Sequence, residues 1–575
     1  MSNYRTEHQM LSGTLLKDGP YESIKQMLER IADMIPSNQI LCELDKDKNM
    51  VYYTARDLYD EVCSYGDGLI DAGLKGEHIA IVADNCCRYL ITDMTVSCGV
   101  GVVTPIDVEA PLSLLSLLLQ KCDATAVVCS SRCVETLRQV QEDYPALKTI
   151  ITIDKPLPGC LFYDDLVAKG ASLGAKASFR RAQVDLDAPA KILFTSGTTG
   201  PNKGVVLTQR NLAANMMNCL DTIKVWKGRN IDLSVLPMHH AIEINTHIMA
   251  RIGSGHLTCI NGDMRKMMTN VKVFQPDTLT LVPMIVNVFY RNIWANAEKA
   301  GMADKLRKGI KLNNFLRHFG IDISRKLFSA VYAPFGGHLR MIVCGGSMLN
   351  PNIVKGMNDL GIRIENGYGI TECGPLISMN PDPADDILSV GKPCPSFEVL
   401  LLNPDDEGVG ELCVKGPSVS KGYYKDEKAS AEVFYPDGFF NTGDSARIDS
   451  SGRIILVGRK KNTIILENGK NVCPEEVENA VETGLDYATE AIVYQAVHAC
   501  GRKCLVAGVF IPDEDIRADR ARIEADVNRL NALLPSYKRI DYVELVEAPL
   551  PRTASKKLIR TALPANCSGK GIEIA

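Results

Sequence analysis

The feature that most restricts the fold of this chain is a regular alternation of helical and strand patterns, which begins near residue 50. Residues 54–73 place Leu58 and Val62 on one helical face, and residues 78–84 (HIAIVAD) then form a short buried strand. The order recurs in the strand GVVTPI, the helical PLSLLSLLLQKC and the strand TAVVCS. Strands separated by crossover helices pair in parallel, so the sequence predicts an α/β fold.

The chain has 575 residues, which is too long for one compact core. After residue 380, short strands divided by Pro, Gly and Asp turns predict a β-rich subdomain. A segment with its own helices and strands follows GRKKN at residues 458–462. We therefore expect a large domain of parallel α/β layers with a β-rich subdomain at 1–459, and a small, mobile α+β domain at 460–575. The final NCSGKGIEIA is predicted to be a loose tail.

Composition narrows the class of protein. The net charge of −5 provides no basic field for nucleic acid. The start, MSNYRTEHQM, lacks a signal-peptide pattern, and no run reaches the roughly 18 apolar residues of a membrane span. The 19 cysteines show no zinc-type spacing and lie mostly in apolar runs, where a reduced cysteine acts as a small hydrophobe. We therefore expect a cytoplasmic protein with a small-molecule partner.

The strongest local motif is KILFTSGTTGPNKG at residues 191–204, in which a strand runs into a loop of glycines and hydroxyl residues. Glycine N–H groups, hydroxyls and a lysine together suit a phosphate. The motif is not a Walker loop, because Asn202 and Gly204 stand where Gly and Ser/Thr would be needed. A flexible surface loop is the alternative. The predicted phosphate-binding residues are Thr195, Ser196, Gly197, Thr198, Thr199, Gly200 and Lys203.

SGTTGPNKG resembles the phosphate loop of the adenylate-forming superfamily, which comprises acyl-CoA synthetases, luciferases and peptide-synthetase adenylation domains. Further motifs of that family follow in order. YGITE at 368–372 resembles YGxTE, and CGGSM at 344–348 resembles the glycine pair beside adenine, with Ser-Met in place of the usual Ala-Pro. TGD at 442–444, with GR at 458–459, resembles the ribose clamp. The ordered set extends from residue 191 to residue 557.

The resemblance implies a role for each matching residue. Tyr368 would stack on adenine, Thr371 would donate to the α-phosphate, and Glu372 would bind Mg²⁺. Asp444 would accept hydrogen bonds from both ribose hydroxyls, with Arg459 reinforcing that end. Taken singly, Glu372 also fits a helix cap, and Asp444 fits a turn. The other implied residues are Gly345, Gly346, Ser347, Asn366, Gly367, Gly369 and Gly469 for the nucleotide and thiol, and Thr195 as a second metal ligand.

LPRTASKK at 550–557 resembles the family's LPxTxSGK motif. The catalytic lysine of that motif falls on Lys557, which would contact both the acid's carboxylate and the α-phosphate. Lys556 replaces the usual glycine, so the register could also place Lys556 in that role. A solvated basic tail is the alternative.

The segment LPMHH at 236–240 resembles LPxxH, which places His240 beside the reacting carboxylate; a buried structural histidine is the alternative. The amino-acid motif FDxS is absent here, and the apolar residues 276–301 resemble long-chain fatty acyl-CoA synthetases. The implied reaction uses ATP, Mg²⁺ and coenzyme A to convert a medium- or long-chain fatty acid to an acyl-adenylate, then to a thioester. An acyl carrier protein is the alternative acceptor, and a catalytically degenerate binding protein is a remote alternative.

Residues 304–328 combine an apolar stripe with many basic residues. Leu312, Phe315, Leu316 and Phe319 follow helical spacing. The favoured interpretation is a stripe that faces the core, with a solvated back. The alternative is peripheral contact with an anionic membrane at its inner surface.

Overall fold

The computed structural model describes residues 15–195, 202–223, 229–381, 387–466, 470–485, 487–552, 558–560 and 563–574. The strands are β1 Gln39–Leu44, β2 Met50–Thr54, β3 His78–Val82, β4 Val102–Pro105, β5 Ala126–Cys129, β6 Thr149–Thr152, β7 Leu161–Phe162, β8 Pro189–Thr195, β9 Lys203–Thr208, β10 Ile231–Ser234, β11 Leu257–Ile260, β12 Thr278–Leu281, β13 Met341–Cys344, β14 Arg363–Gly369, β15 Leu376–Asn380, β16 Lys392–Pro393, β17 Glu398–Leu402, β18 Gly410–Lys415, β19 Phe440–Ile448, β20 Ile454–Arg459, β21 Ile464–Ile465, β22 Asn471–Val472, β23 Glu490–Val497, β24 Lys503–Phe510, β25 Tyr542–Val546 and β26 Ile572–Glu573. The helices are α1 Ile24–Met34, α2 Ala55–Asp71, α3 Cys87–Thr95, α4 Leu112–Lys121, α5 Val134–Asp143, α6 Tyr163–Ser172, α7 Gln209–Thr222, α8 Met249–Gly253, α9 Met267–Phe274, α10 Pro283–Lys299, α11 Ala303–Arg317, α12 Ser324–Leu327, α13 Ser329–Tyr332, α14 Pro351–Asp359, α15 Glu427–Val433, α16 Pro474–Gly484, α17 Glu514–Ala518 and α18 Arg520–Asn531.

Two large sheets extend over about the first two thirds of the chain, and they confirm the α/β prediction. One has the strand order β7-β6-β5-β3-β4-β8-β9 and is parallel up to the antiparallel hairpin of β8 and β9. The other has the order β16-β15-β14-β13-β12-β10-β11-β1-β2, with parallel pairing from β14 to β1 and antiparallel edges. The carboxyl ends of β8, β13 and β14 lead into the predicted nucleotide motifs.

Local signals and burial together explain how α2 joins these sheets. Thr54 accepts a hydrogen bond from the Asp57 amide, and the Asp57 carboxylate accepts one from the Thr54 amide, which forms a capping box. The buried face of the helix carries Leu58 into an apolar cluster with Ile79 of β3 and Val343 of β13. This one continuous core therefore holds both sheets together.

The remaining strands form smaller sheets. β17, β18, β19 and β20 pair in sequence as an antiparallel sheet, as predicted for the region after residue 380. β23, β24, β25 and β26 form a mixed sheet packed against α16 and α18 through their apolar residues. The division of the chain at Lys460 remains a prediction.

The predicted loose tail is wrong. Ile572 of β26 pairs with β25, and Ile572 and Ile574 are 5% and 8% exposed. The two isoleucines lie two residues apart, so they share one face of the strand and enter the core of the small sheet. The alternation of Ile572 and Ile574 was the sequence signal for a strand, but the glycines just before it made the segment look like a loop.

The stripe on α11 is also oriented differently from the favoured expectation. Leu312, Phe315 and Phe319 are 49%, 60% and 67% exposed, whereas Gly309 and Asn313 form the buried face of the helix. Gly309 lies against Leu327 and Phe328, and the Asn313 side chain accepts a hydrogen bond from the Ile323 amide. The helix is therefore held by its small and polar face, and the apolar stripe points outward.

All 19 cysteines have free thiols, and most are buried. Within the described ranges, no helix is both long enough and apolar enough to cross a membrane.

A buried ion pair links three of the elements around the motifs. The Lys191 ammonium on β8 lies 2.7 Å from the Asp93 carboxylate on α3, and both side chains are 1% exposed. The same ammonium donates to the Asn245 side chain at 2.9 Å. Since a buried charge is costly without a partner, Lys191 stabilises the fold through these contacts.

We predict that Lys191→Met lowers the free energy of unfolding by about 3–5 kcal/mol, because it leaves Asp93 buried without its cation. The double variant Lys191→Met/Asp93→Leu should recover much of that loss, since it removes both charges. The measurement is the urea midpoint of unfolding. Lys421→Met is the control, because Lys421 pairs with Asp187 at the surface. Equal midpoints for Lys191→Met and Lys421→Met would contradict the prediction.

Candidate active site

The predicted site residues that the structure describes surround one cavity of about 2020 Å³. They are Thr195, Lys203, His240, Gly345, Gly346, Ser347, Asn366, Gly367, Tyr368, Gly369, Thr371, Glu372, Asp444 and Arg459. Residues 196–200, Gly469 and Lys557 lie outside the described ranges. Motifs that are up to 264 positions apart in the sequence, from Thr195 to Arg459, therefore face a common space.

A carboxylate shared by two donors forms one end of the cavity. Asp444 and Arg459 are cross-strand partners on β19 and β20, and the Arg459 Nε lies 2.7 Å from Asp444 Oδ1. Tyr368 at the end of β14 donates its hydroxyl to Asp444 Oδ2 at 2.6 Å. Burial, together with the Asp444 carboxylate, raises the pKa of Tyr368 well above its usual value. The phenol is therefore protonated at neutral pH, and Asp444 is a carboxylate acceptor whose two oxygens are held in place.

A second acidic group, Glu372, is positioned by Tyr423, which is not among the predicted site residues. The Tyr423 hydroxyl donates to Glu372 Oε1 at 2.9 Å. The Lys203 ammonium lies 4.6 Å from the centre of the Tyr423 ring, which gives a cation–π contact. The available signal was the GYYKD segment that follows the strand GELCVKG. Tyr423 thus holds a carboxylate and a lysine on the same side of the cavity.

This carboxylate also determines how a metal ion would fit. In the parts of the chain that are described, no three His, Cys, Asp or Glu side chains are grouped to hold a metal. Mg²⁺ usually binds to one or two carboxylates and completes its shell with phosphates and water. Glu372 therefore suits Mg²⁺ that arrives with a nucleotide. The Thr195 hydroxyl donates to the Lys203 carbonyl at 3.5 Å, and its role as a metal ligand remains a prediction.

Two glycines leave the floor of the cavity free of side chains. A Cβ on Gly345 would lie 3.2 Å from the Gly367 carbonyl oxygen and 3.1 Å from Ile242 Cδ1. Gly346 has a φ of +92°, in the left-handed region that other residues rarely adopt. Backbone therefore forms a flat wall here, which suits a planar ring.

The other end of the cavity carries two histidines and apolar side chains of α10. The rings of His239 and His240 lie 4.1 Å apart. Burial lowers the pKa of His239 to about 4, so its imidazole is neutral at neutral pH. Met284 and Val288 of α10 line this end. His239 was not among the predicted residues, although it belongs to the same HH pair as His240.

A buried charged network lies behind His239 and His240, which are called here the histidine wall. Immediately after Ala241, the chain forms a wide π-helical turn, Ile242–Ile248, which carries Glu243 and His247. The His247 ring lies 3.4 Å from Glu243 and 3.7 Å from Asp232, which also pairs with Arg251 at 3.0 Å. Burial alone would lower the pKa of His247, but the Glu243 and Asp232 carboxylates outweigh it and raise the pKa to about 9. A positive His247 therefore stabilises the turn behind the histidine wall.

Comparison with known proteins agrees with this arrangement. The profile of the family described as AMP-binding enzyme matches residues 33–424. The long-chain-fatty-acid–CoA ligase 6 of Mus musculus is 27% identical over 487 residues, covering 78% of this chain and 68% of its own length. The peroxisomal long chain acyl-CoA synthetase 7 of Arabidopsis thaliana is 27% identical over 457 residues, covering 75% and 64%. This chain therefore spans about two thirds of the length of these relatives.

A solved structure extends the likeness of fold to nearly the whole chain. The anthranilate CoA ligase in complex with anthranoyl-AMP superposes with a TM-score of 0.76 at 18% identity, over 95% of this chain and 97% of that structure.

The raised pKa of His247 predicts a pH-dependent stability. Below about pH 6.5 the histidine is protonated in the folded and unfolded states, and its stabilisation is fully present. As pH rises through about 9, the folded-state proton is lost and so is the stabilisation, which is on the order of 3 kcal/mol. We expect Glu243→Gln/His247→Gln, which removes both charges of the closest pair, to reduce this decline. The measurement is the urea midpoint as a function of pH.

The control for this experiment is His338→Gln, because His338 is exposed. That variant should keep the wild-type pH profile. A double variant that declines as steeply as the wild type between about pH 6 and about pH 10 would contradict the assignment.

Proposed function

This chain belongs to the AMP-binding enzyme family, and we propose that it activates a fatty acid with ATP and transfers the acyl group to coenzyme A. The observation that supports this most directly is the cavity itself. Asp444, Arg459, Glu372 and Lys203 supply charge at one end, and Met284 and Val288 of α10 supply apolar side chains at the other. A nucleotide and an apolar acid would meet where the two ends join.

The charged end suits the chemistry of adenylate formation. An oxygen of the acid's carboxylate attacks the α-phosphorus, and the bond to pyrophosphate breaks in line with the attack. Negative charge spreads over the phosphate oxygens, so fixed donors and cations accelerate the step. Lys203 would hold the outer phosphates, and the Thr371 hydroxyl would donate to the α-phosphate. Mg²⁺ bound with the nucleotide at Glu372 would supply further positive charge.

The sugar of the nucleotide would lie at Asp444. A carboxylate accepts from two vicinal hydroxyls, and Tyr368 and Arg459 already hold both of its oxygens in place. Because these donors prevent rotation of the carboxylate, little ordering would remain to be done when the ribose binds.

The apolar end supports a fatty acid as the substrate. Met284 and Val288 line it, and the neutral His239 places no positive charge there. The relatives described above are named as ligases or synthetases of long-chain fatty acids or acyl groups and CoA. An aliphatic chain gains free energy as it leaves water for such a wall.

The C-terminal segment from Lys460 is proposed to act as a separate small domain that supplies Lys557. Two contacts at its border are polar. Lys460 pairs with Glu411 at 2.5 Å, and Lys538 lies 3.6 Å from Glu407. In each pair one partner is exposed, Lys460 in the first and Glu407 in the second, so water competes for both contacts. Such a border suits a domain that rotates between adenylation and thiol transfer.

We expect Asp444→Ala to weaken ATP binding roughly 10- to 100-fold, because it removes the charged acceptor and leaves Arg459 and Tyr368 without their partner. Isothermal titration of ATP with Mg²⁺ measures this. Asp406→Ala, in an exposed turn, is the control and should bind ATP like the wild type. Unchanged affinity in Asp444→Ala would remove Asp444 from the nucleotide site.

The function itself is tested by pyrophosphate release with straight-chain fatty acids of increasing length, benzoate and an α-amino acid. We expect release with the fatty acids, followed by thioester formation when coenzyme A is added. Holo acyl carrier protein is the second acceptor to be tested, and thioester on it alone would change the proposed acceptor. ATP binding without pyrophosphate release for any acid would indicate a binding protein instead.

We expect Lys557→Ala to slow pyrophosphate release at least about 100-fold, since it removes a cation from the developing charge, while ATP affinity changes little. Lys556→Ala is the matched control and should retain release within about threefold. A loss confined to Lys556→Ala would move the role to Lys556, and full activity of both variants would contradict the assignment.

A further inference from the structure

We propose that the outward face of α11 docks this protein on an anionic lipid bilayer. The face, called here the lysine–phenylalanine surface, consists of Lys305, Lys308, Lys311, Leu312, Phe315 and Phe319. This inference goes beyond the proposed reaction, and the binding it describes can be measured without any catalysis.

The spacing of these residues explains why they share a face. Positions 305, 308, 312 and 315 follow one another by three and four residues, which is the repeat of one side of a helix, and Phe319 continues that spacing in the turn after α11 ends at Arg317. Leu312, Phe315 and Phe319 are about half to two-thirds exposed, and the two phenylalanine rings contact each other edge-on at 5.3 Å. The rings therefore form one protruding apolar cluster.

This cluster is not needed for packing. Leu306 and Ile310, on another side of α11, contact the apolar core. Gly309 and Asn313 are the buried positions of the helix. Because the helix is already held on those sides, the exposed phenylalanines bring no evident benefit to the folded monomer in water, and an exposed patch of this kind marks an interaction site.

The charges around the cluster specify the partner. In the described part of the chain, Lys305, Lys308 and Lys311 form no ion pair, and neither does the nearby Lys326. The acidic residues close by are already engaged, since Asp304 pairs with Arg307 and Asp322 with Arg317. The protein as a whole has a net charge of −5, so this positively charged surface has the opposite sign to the protein's net charge. It fits a negatively charged partner.

A bilayer satisfies both features at once. Phenylalanine and leucine side chains enter the boundary between headgroups and acyl chains, while lysine stems extend their ammonium groups to the phosphates. A second copy of the chain fits less well. A twofold contact would bring the same lysines against each other, and their charges would repel.

The position of the surface gives the docking a consequence for the substrate. α11 packs beside α10, where the Arg307 guanidinium lies over the Trp294 ring at 5.4 Å. Met284 and Val288 of the same α10 line the apolar end of the cavity. A bilayer on the lysine–phenylalanine surface would therefore lie next to the helix that lines the proposed acyl site, and apolar acids dissolve in bilayers.

The test is flotation of the full-length protein with vesicles of phosphatidylcholine, with and without phosphatidylglycerol. We expect binding to the anionic vesicles only, and its release by high salt, because salt screens the lysine contribution. Phe315→Ser/Phe319→Ser and Lys305→Glu/Lys308→Glu should each lower the bound-to-free ratio at least tenfold. All four side chains are exposed, so these variants should keep the wild-type thermal midpoint, which is measured in parallel.

Matched controls separate this surface from general stickiness and general charge. Leu533→Ser changes a side chain that is 83% exposed elsewhere, and Lys155→Glu/Lys428→Glu reverses two exposed lysines. Both controls should bind like the wild type. Absence of flotation with anionic vesicles would overturn the proposal, as would equal binding to neutral vesicles. Sedimentation showing a dimer that Phe315→Ser/Phe319→Ser dissolves would also overturn it, in favour of a second copy as the occupant.

Discussion

The arrangement of the cavity depends on the buried ion pair between Lys191 and Asp93. Lys191 lies four residues before Thr195, where the predicted phosphate loop begins, and Asn245, its other partner, lies in the π-helical turn behind His240. Asp93 belongs to a helix of the shared core. One ammonium group therefore relates the start of the phosphate loop to the histidine wall. Hydrophobic contacts alone would tolerate small shifts between these elements, whereas a buried charge with two oxygen partners does not.

The carboxylate of Asp444 has a similar structural role at the opposite end of the cavity, because it holds two elements in fixed positions. Tyr368 belongs to the nine-stranded sheet, whereas Asp444 and Arg459 belong to the antiparallel sheet of β17–β20. The nucleotide end is thus built at a junction of two sheets, and the carboxylate that the ribose would contact is one of the groups that link them. Changes at this carboxylate would affect both the position of Tyr368 and the charge available to a ligand.

Much of the large domain was predictable because its signals are local. The strands at 78–84 and 278–284 are short apolar runs between helical patterns, and the structure has strands at β3 and β12. The motif residues could be named because the resemblance gives their order in the chain. His247 was not identified in that way. Its charge depends on Glu243, four positions away, and on Asp232, 15 positions away, and nothing local reports the contact with Asp232.

The outward face of α11 shows a different limit of prediction from the sequence. Helical periodicity states that apolar residues share a side, but it does not state what covers that side. Gly309 and Asn313 decided the orientation, because a small residue admits Phe328 closely and an amide side chain can bind the Ile323 backbone. Both residues look unremarkable in a helical pattern. A buried polar or glycine face is therefore a signal that an apolar stripe has been left for another partner.

The nucleotide end of the cavity must hold charged phosphates, whereas the acyl end must hold an apolar chain. The histidine wall lies where the two ends meet. In the proposed reaction the acid's carboxylate must remain a free nucleophile while it approaches the α-phosphorus. An imidazolium at the wall would attract that carboxylate and hold it away from phosphorus. Burial keeps His239 neutral, whereas His247, eight residues further along and flanked by Glu243 and Asp232, carries the positive charge instead. The carboxylates behind the wall pair with that charge, so His239 itself offers hydrogen bonds and apolar contact without a positive charge.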